Sequence, residues 1–235
     1  MIELSLVMPC LNEEKTIGKC VAACKYSFKK NKINGEVIVC DNGSEDNSVI
    51  IAKKMGARVV HQKKRGYGNA CIMGMNSAKG KYILKLDADG SYDPDESIKF
   101  VKKLRGGAEY VIGSRYKGRI LKKAMPWSHQ YVGNPVLTLS ANIFDKAGIS
   151  DICCGMKAFE KNAWKRANCK SPGMEFGPET TIKARQAGLR VSEVPITYHR
   201  DGRERKSNLK QWSDGYRDIK FILQESWLFK KYQSK

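Results

Sequence analysis

Apolar residues in this chain come in short runs that alternate with stretches of helical period. Residues 4–8 (LSLVM) read as a buried strand. Behind it Ile17, Val21, Cys24 and Phe28 recur at the spacing of one helix face, with Asn12 placed to cap that helix. Residues 37–40 (VIVC) form a second buried strand, followed by the polar turn Asp41-Asn42-Gly43-Ser44 and a helix over about 46–55. A short strand at 58–60, a helix over 68–78 and a strand over 82–86 come next, the last closed by Asp87-Ala88-Asp89-Gly90. A helix near 95–104 and a strand at 110–112 complete the first half. Strand, helix, strand in series implies right-handed parallel crossovers. The expected fold is therefore α/β, with a mostly parallel central sheet and helices on both faces.

The second half is patterned differently. Residues 128–147 predict a helix despite Pro135, 157–159 a short strand, 178–187 a helix and 190–196 a strand. Residues 199–208 are charged and poor in apolar side chains, which predicts a mobile loop. A final helix is expected from about 209 to 230. On it Trp212, Tyr216, Ile219, Leu223 and Trp227 make one stripe, with Lys210, Arg217, Lys220, Lys230 and Lys231 around it. Such a stripe suits a core-facing helix and a membrane-surface helix equally. With no repeat and no low-complexity linker, the expected organisation is one domain over 1–208 and an amphipathic helix over 209–235.

The chemistry gathers at one edge. In parallel sheets ligands bind beyond the carboxyl ends of the strands, and Asn12, Asp41, Asp87 and Asp89 all fall there. Two acids one residue apart repel each other and are costly to bury unpaired. Alone, the pair fits a polar turn capping the helix that starts near Pro94 as well as it fits a site. As a site it would hold Mg²⁺ or Mn²⁺, hard ions that leave coordination positions for phosphate oxygens.

Charge adds a partner class. Forty-three Lys and Arg against 24 Asp and Glu leave a net +19, which favours an anionic partner: nucleic acid, a membrane surface or a phosphorylated substrate. No helix-turn-helix, RNP or zinc-finger signature supports specific nucleic-acid binding, and the acids cluster where nucleic acid would have to lie. The eight cysteines form no CxxC pair and no zinc spacing, as expected of a reduced, cytosolic protein, with Cys153 and Cys154 as small buried hydrophobes. No signal peptide is evident, and no apolar run reaches the ~18–20 residues of a membrane span. His61, His129 and His199 are scattered, and Trp127 and Trp164 are expected to anchor packing.

Nine blocks in order carry a family resemblance: VMPCLNEEKTI (7–17), VIVCDNGSEDNS (37–48), RGYGNA (65–70), KLDADGSYDP (85–94), GSRYKG (113–118), MPWSHQYVGNPVLT (125–138), SDICCGMKAF (150–159), GMEFGPE (173–179) and VPITYHRDGRERKSNL (194–209). Together they resemble the family 2 glycosyltransferases of the GT-A fold, and most of all the dolichol-phosphate mannose and glucose synthase group of polyprenyl-phosphate hexosyltransferases. The resemblance implies nucleotide binding by Pro9, Leu11, Asn12 and Glu13, by Asp41 at the base, and by Asn42, Arg65, Gly66, Asp87 and Ala88. Asn42 stands where many relatives have a second Asp, and the glucose synthase branch shares this Asn. Asp87 would face the ribose or a metal-bound water and Asp89 would ligate the metal, while Ser91 sits where mannose synthases tend to have Gln.

The activity implied is inverting, metal-dependent transfer of glucose or mannose from UDP-glucose or GDP-mannose to a polyprenyl phosphate at a membrane surface. Arg115, Arg203, Arg205 and Lys206 are the cations expected to bind the lipid phosphate, since an Arg fork pairs two phosphate oxygens. A hydroxyl acceptor on a glycan, protein or small molecule is the alternative, and would need a general base such as Asp151, Glu175 or Glu179. Each of these three acids also has a structural reading, as a turn cap or a helix N-terminal residue.

Overall fold

The computed structural model describes residues 1–202, 215 and 217–225. Seven strands form one sheet: β1 (Leu4–Cys10), β2 (Gly35–Asp41), β3 (Arg58–His61), β4 (Tyr82–Lys85), β5 (Tyr110–Ile120), β6 (Lys157–Glu160) and β7 (Val191–Tyr198). Their order across the sheet is β3-β2-β1-β4-β6-β5-β7. Helices α1 (Ile17–Lys30), α2 (Ser48–Lys54), α3 (Tyr67–Asn76) and α4 (Ser97–Arg105) follow the first four strands in turn, so β1, β2, β3 and β4 run parallel. Helices α5 (Asn134–Asp145), α6 (Lys161–Ala167) and α7 (Phe176–Gln186) belong to the second half.

Register sets the functional edge. Cys10 lies opposite Asp41, and Val7 opposite Lys85, so the polar residues just past β1, β2 and β4 share one rim. β6 is the strand that runs the other way, antiparallel to both β4 and β5. The reason is the connection. β5 carries the chain to the rim, and α5 with its flanking loops stays there instead of crossing back, so β6 has to start at the rim and run down. This puts Lys157, its first residue, directly opposite Lys85.

Several local expectations change. α1 starts at Ile17 behind Thr16, and Asn12 does not cap it. Asn12 takes a left-handed conformation (φ 57°), and its Oδ1 accepts the Glu45 N–H at 2.8 Å, stapling the first loop to the second. The predicted helix over 128–147 divides into a π-helical turn, His129–Gly133, and α5. Pro135 is tolerated because it falls in the first turn, where its missing N–H has no helical partner to lose. Trp164 is buried, and its indole N–H donates to Asn76 Oδ1 at 2.7 Å. Trp127, expected to be a packing anchor, is instead 70% exposed.

Residues 217–225 are helical, with Ile222 buried in the core and Ile219 and Phe221 packed against it, while Leu223 faces out. Ile219 and Leu223 therefore do not share one environment, as the stripe required. Trp212, Tyr216, Trp227 and the 203–208 loop lie outside the described residues. No described helix is long and apolar enough to cross a membrane.

All eight cysteines are free thiols and seven are buried. Burial pushes the thiols of Cys10, Cys20, Cys40, Cys71, Cys153 and Cys154 up to about 12. A folded-state value above the unfolded one gives stability that is complete below pH 9 and is lost as pH rises towards 12. Lys157 works in the opposite sense between about 8 and 10.5, but it is one group against six. The expected result is a melting temperature that falls steeply above pH 9 under reducing conditions. A flat profile from pH 8 to 10.5 in scanning calorimetry would contradict it.

Candidate active site

A cleft of about 760 Å³ opens at the rim, within the range of small-ligand sites. It is lined by Pro9, Leu11, Glu13, Asn42, Arg65, Gly66, Asp87, Ala88, Asp89 and Arg115, among others. Ten sequence-predicted residues from five separate segments thus meet in one cavity. Asn12, Asp41 and Asp151 stand behind the lining, and Arg203, Arg205 and Lys206 lie outside the described residues.

The loop after β2 is built from its own polar side chains. The Asp41 carboxylate accepts the N–H groups of Gly43 and Ser44 at 3.1 and 3.0 Å and lies 3.3 Å from His61 Nδ1. Burial alone would raise its pKa, but these bonds and one from the Ser44 hydroxyl hold it below the ordinary carboxylate value. Asn42 Nδ2 donates to the carbonyls of Gln62 and Lys64, both at 2.9 Å, and Oδ1 accepts the Gly66 N–H at 2.8 Å. Gly66 has φ +140°, and a Cβ there would fall 2.3 Å from the Pro172 carbonyl oxygen. The chain thus turns into α3 only through glycine, leaving Arg65 half-exposed beside the helix start.

Asn42 accordingly does what an ionised Asp, an acceptor only, would fail to do. Asn42→Asp keeps the bond to Gly66 but strands two carbonyls, at a cost of about 1–3 kcal/mol. The expected outcome is a lower melting temperature together with weaker nucleotide binding by titration calorimetry. Unchanged values for both would remove Asn42 from this role.

The carboxylate pair has a foundation that the sequence reading missed. Lys85 is only 2% exposed, and its Nζ donates to Asp87 Oδ1 at 2.7 Å and to the Tyr67 hydroxyl, which itself donates to Asp87 Oδ1 at 3.0 Å. Burial would lower the Lys85 pKa, but the Asp87 charge outweighs it and the net direction is up. A lysine inside an apolar strand, two residues before an acid and so on the same face, was the available signal. Asp89 Oδ1 accepts from the Ser91 N–H and hydroxyl at 3.0 and 2.6 Å. The chain leaving β7 returns over this loop, with His199 N–H donating to the Ser91 carbonyl and Gly202 N–H to that of Asp89.

Lys157 was also missed. Its buried Nζ donates to the Ile152 carbonyl, the Gly177 carbonyl and Thr180 Oγ1, tying the 152–155 loop to the start of α7. Burial among these neutral acceptors pushes its pKa down to about 8.

At the other end of the cleft Arg115 and Asp151 form a buried bidentate pair, Nε to Oδ2 and Nη2 to Oδ1, both 2.7 Å. Asp151 is 0% exposed and also accepts the Arg115 backbone N–H. The Arg115 guanidinium lies 5.2 Å from the centre of the Tyr198 ring. Both Asp151 oxygens thus accept from Arg115, which sets this acid beside a cation rather than alone on the cleft wall. The two oxygens of Glu179 accept the Lys170 and Ser171 N–H groups at 2.8 and 2.9 Å, and Glu179 does not line the cleft. Glu175 sits at the start of α7 with Oε2 buried and unpartnered among the described residues, and it does not line the cleft.

The Asp87–Asp89 pair fits a hard divalent cation by its donor chemistry. Among the described residues no three His, Cys, Asp or Glu side chains form a cage. Protein carboxylates from two residues, with the rest of the shell from phosphate and water, is how Mg²⁺ commonly binds beside a diphosphate.

The mostly parallel sheet, its helices and this rim cleft define an α/β protein of the GT-A class. The profile of glycosyl transferase family 2 matches residues 5–166, and the chain belongs to that family. It is 42% identical over 221 residues to the low-salt glycan biosynthesis hexosyltransferase Agl6 of Haloferax volcanii, covering 94% of this chain but 53% of that protein. The chain thus spans about half the length of that relative. An uncharacterised protein of Methanocaldococcus jannaschii is 35% identical over 201 residues, 83% of this chain and 80% of its own. Glucosyl-3-phosphoglycerate synthase of Mycobacterium tuberculosis, solved with Mn²⁺, UDP-glucose and phosphoglyceric acid, shares the fold at TM-score 0.74 and 20% identity, covering 96% of this chain and 80% of that one.

Proposed function

We propose that this chain transfers a hexose, with inversion, from a nucleoside diphosphate sugar to a polyprenyl phosphate. The observation that carries the choice of acceptor is the Arg115–Asp151 pair. The acid beside Arg115 is spent on orienting that cation, so this end of the cleft presents a guanidinium suited to an anionic acceptor. Asp151 occupies Nε and one N–H of Nη2, and both N–H groups of Nη1 point away from that pairing. A phosphate monoester, with its second pKa near about 6, arrives largely ionised and needs positioning more than deprotonation. A hydroxyl acceptor is the alternative reading, and His129, Asp201 and Asp218 are further titratable groups on the lining that could serve it.

The donor end follows from the residues already described. Asp41 and the loop of Pro9, Leu11 and Glu13 would take the base and ribose, and Asn42 would hold Arg65 and Gly66 in place for the diphosphate. The N-terminus of α3 adds backbone N–H groups and a favourable dipole for an anion there. Asp87 and Asp89 would hold Mg²⁺ or Mn²⁺, the ions seen with UDP in the mycobacterial synthase. Such an ion supplies Lewis-acid neutralisation of the leaving nucleoside diphosphate. Lys85 would orient Asp87 through its 2.7 Å bond from the floor of the cleft. Arg203, Arg205 and Lys206 remain proposed acceptor cations, on the chain that continues from Gly202 beside Asp89.

One screen tests this. Purified protein is incubated with UDP- and GDP-hexoses, with and without polyprenyl phosphate in detergent, and with EDTA or added Mn²⁺. Lipid-linked sugar formed only with polyprenyl phosphate and metal supports the reading; transfer to a soluble hydroxyl without the lipid would replace it.

A further inference from the structure

The stretch from Tyr110 to Phe144 contains no Asp or Glu and five cations, Arg115, Lys117, Arg119, Lys122 and Lys123. Its last part, from Ser128 to Phe144, carries no Lys, Arg, Asp or Glu at all, in a chain that is 29% charged. A helix on the surface of a water-soluble domain normally turns its polar face outward. α5 does the reverse of that on its outer side. Leu137, Thr138 and Ala141 pack inward, while Leu139 (59% exposed) and Ile143 (61%) face solvent together with Val136 and Phe144.

The turn before α5 extends the same surface. Trp127, Tyr131 and Val132 are exposed, and the Trp127 and Tyr131 rings lie 5.8 Å apart. Exposed Arg119, Lys122 and Lys123 precede this apolar face, and exposed Lys146 follows it. Aromatic and aliphatic side chains bordered by cations match the chemistry of a headgroup layer over acyl chains. The inner side of the same segment lines the cleft through Met125, Pro126, His129, Asn134 and Leu137. One face of a single segment is thus open and apolar while the other borders the candidate site.

We propose that α5 and the turn before it dock the protein on an anionic lipid bilayer, with the cleft mouth at the lipid surface. The proposal deepens the lipid-acceptor reading and takes its purpose from it: an acceptor could keep its polyprenyl tail in the bilayer while its phosphate enters beside Arg115. It places the contact on α5 and not on the last helix, whose described part packs on the core through Ile222.

The test uses the full 235-residue chain and extruded vesicles of phosphatidylcholine, with or without phosphatidylglycerol, in a sedimentation assay. The expected result is binding to the anionic vesicles that weakens with salt. The Trp127→Ser/Leu139→Ser/Ile143→Ser variant and the Lys122→Glu/Lys123→Glu variant should each lower partitioning by roughly tenfold or more. Because these side chains are exposed and lie outside the cleft lining, melting temperature and nucleotide affinity should stay as in the parent.

No vesicle binding by the parent, or parental binding by both variants, overturns the proposal. So does a parent that is dimeric by ultracentrifugation, ignores vesicles and becomes monomeric in the triple-serine variant, since a second copy would then be the occupant. Transfer to polyprenyl phosphate in detergent reports on the functional reading separately. Transfer without vesicle binding sinks the docking surface alone, and vesicle binding without transfer sinks the acceptor alone.

Discussion

Asp89→Asn is expected to abolish sugar transfer in a protein that stays folded. Asn is nearly the shape of Asp, and its Oδ1 can still accept from the Ser91 N–H and hydroxyl that now hold the carboxylate. What disappears is the negative charge, and with it a hard anionic ligand for a divalent cation. Losing one preorganised electrostatic contact of this kind costs on the order of 10²–10³ in kcat. Asp87→Asn provides the contrast. It removes the charge that balances the buried Lys85 ammonium, so melting temperature and activity should fall together. Activity assays with a Mn²⁺ titration, alongside thermal melts of both variants, check the pair. Full turnover by Asp89→Asn in chelator would end the metal assignment.

The largest stability effect is expected at Asp151, far from the donor. Asp151→Asn leaves the Arg115 guanidinium buried without its counter-charge, and breaking one partner of a buried ion pair costs about 3–5 kcal/mol. For a domain of this size that is a fall of roughly 6–20 °C in melting temperature. Arg115→Met with Asp151→Leu removes both charges and should recover much of the loss, since apolar replacements of a buried pair are often neutral or better. The double variant should still fail to use a phosphorylated acceptor while binding nucleotide normally. A melting temperature for Asp151→Asn within a degree or two of the parent would mean that Arg115 is paired elsewhere.

These two expectations differ in how far the sequence foretold them. Asp87 and Asp89 end an apolar run, and no sequence separation had to be bridged to suspect a ligand there. The pairing of Arg115 with Asp151 spans 36 positions, and it is what turns the proposed role of Asp151 from base to positioning residue. The same holds for Glu179, which looked available as a helix N-terminal acid and is occupied by the backbone of residues 170 and 171. Asn42 shows the converse: its resemblance to a substituted Asp was visible, but its reason, two carbonyls needing donors, was not.

The sequence by itself determined the alternation of strands and helices, the parallel first half, and the gathering of Asn12, Asp41 and the Asp87–Asp89 pair at one rim. Those features rest on local periodicity and on chain chirality, and both act within a few tens of residues. Only the tertiary structure decided the direction of β6, the burial of Lys85 and Lys157 side by side, and the locking of Asp151. It also decided that Trp127 and the outer face of α5 stay uncovered. An amphipathic or apolar segment carries no mark of which neighbour will cover it, and a charged side chain carries none of which partner will neutralise it. Those answers depend on groups brought close by the path of the chain, because burial and ion pairing are energies of proximity rather than of sequence.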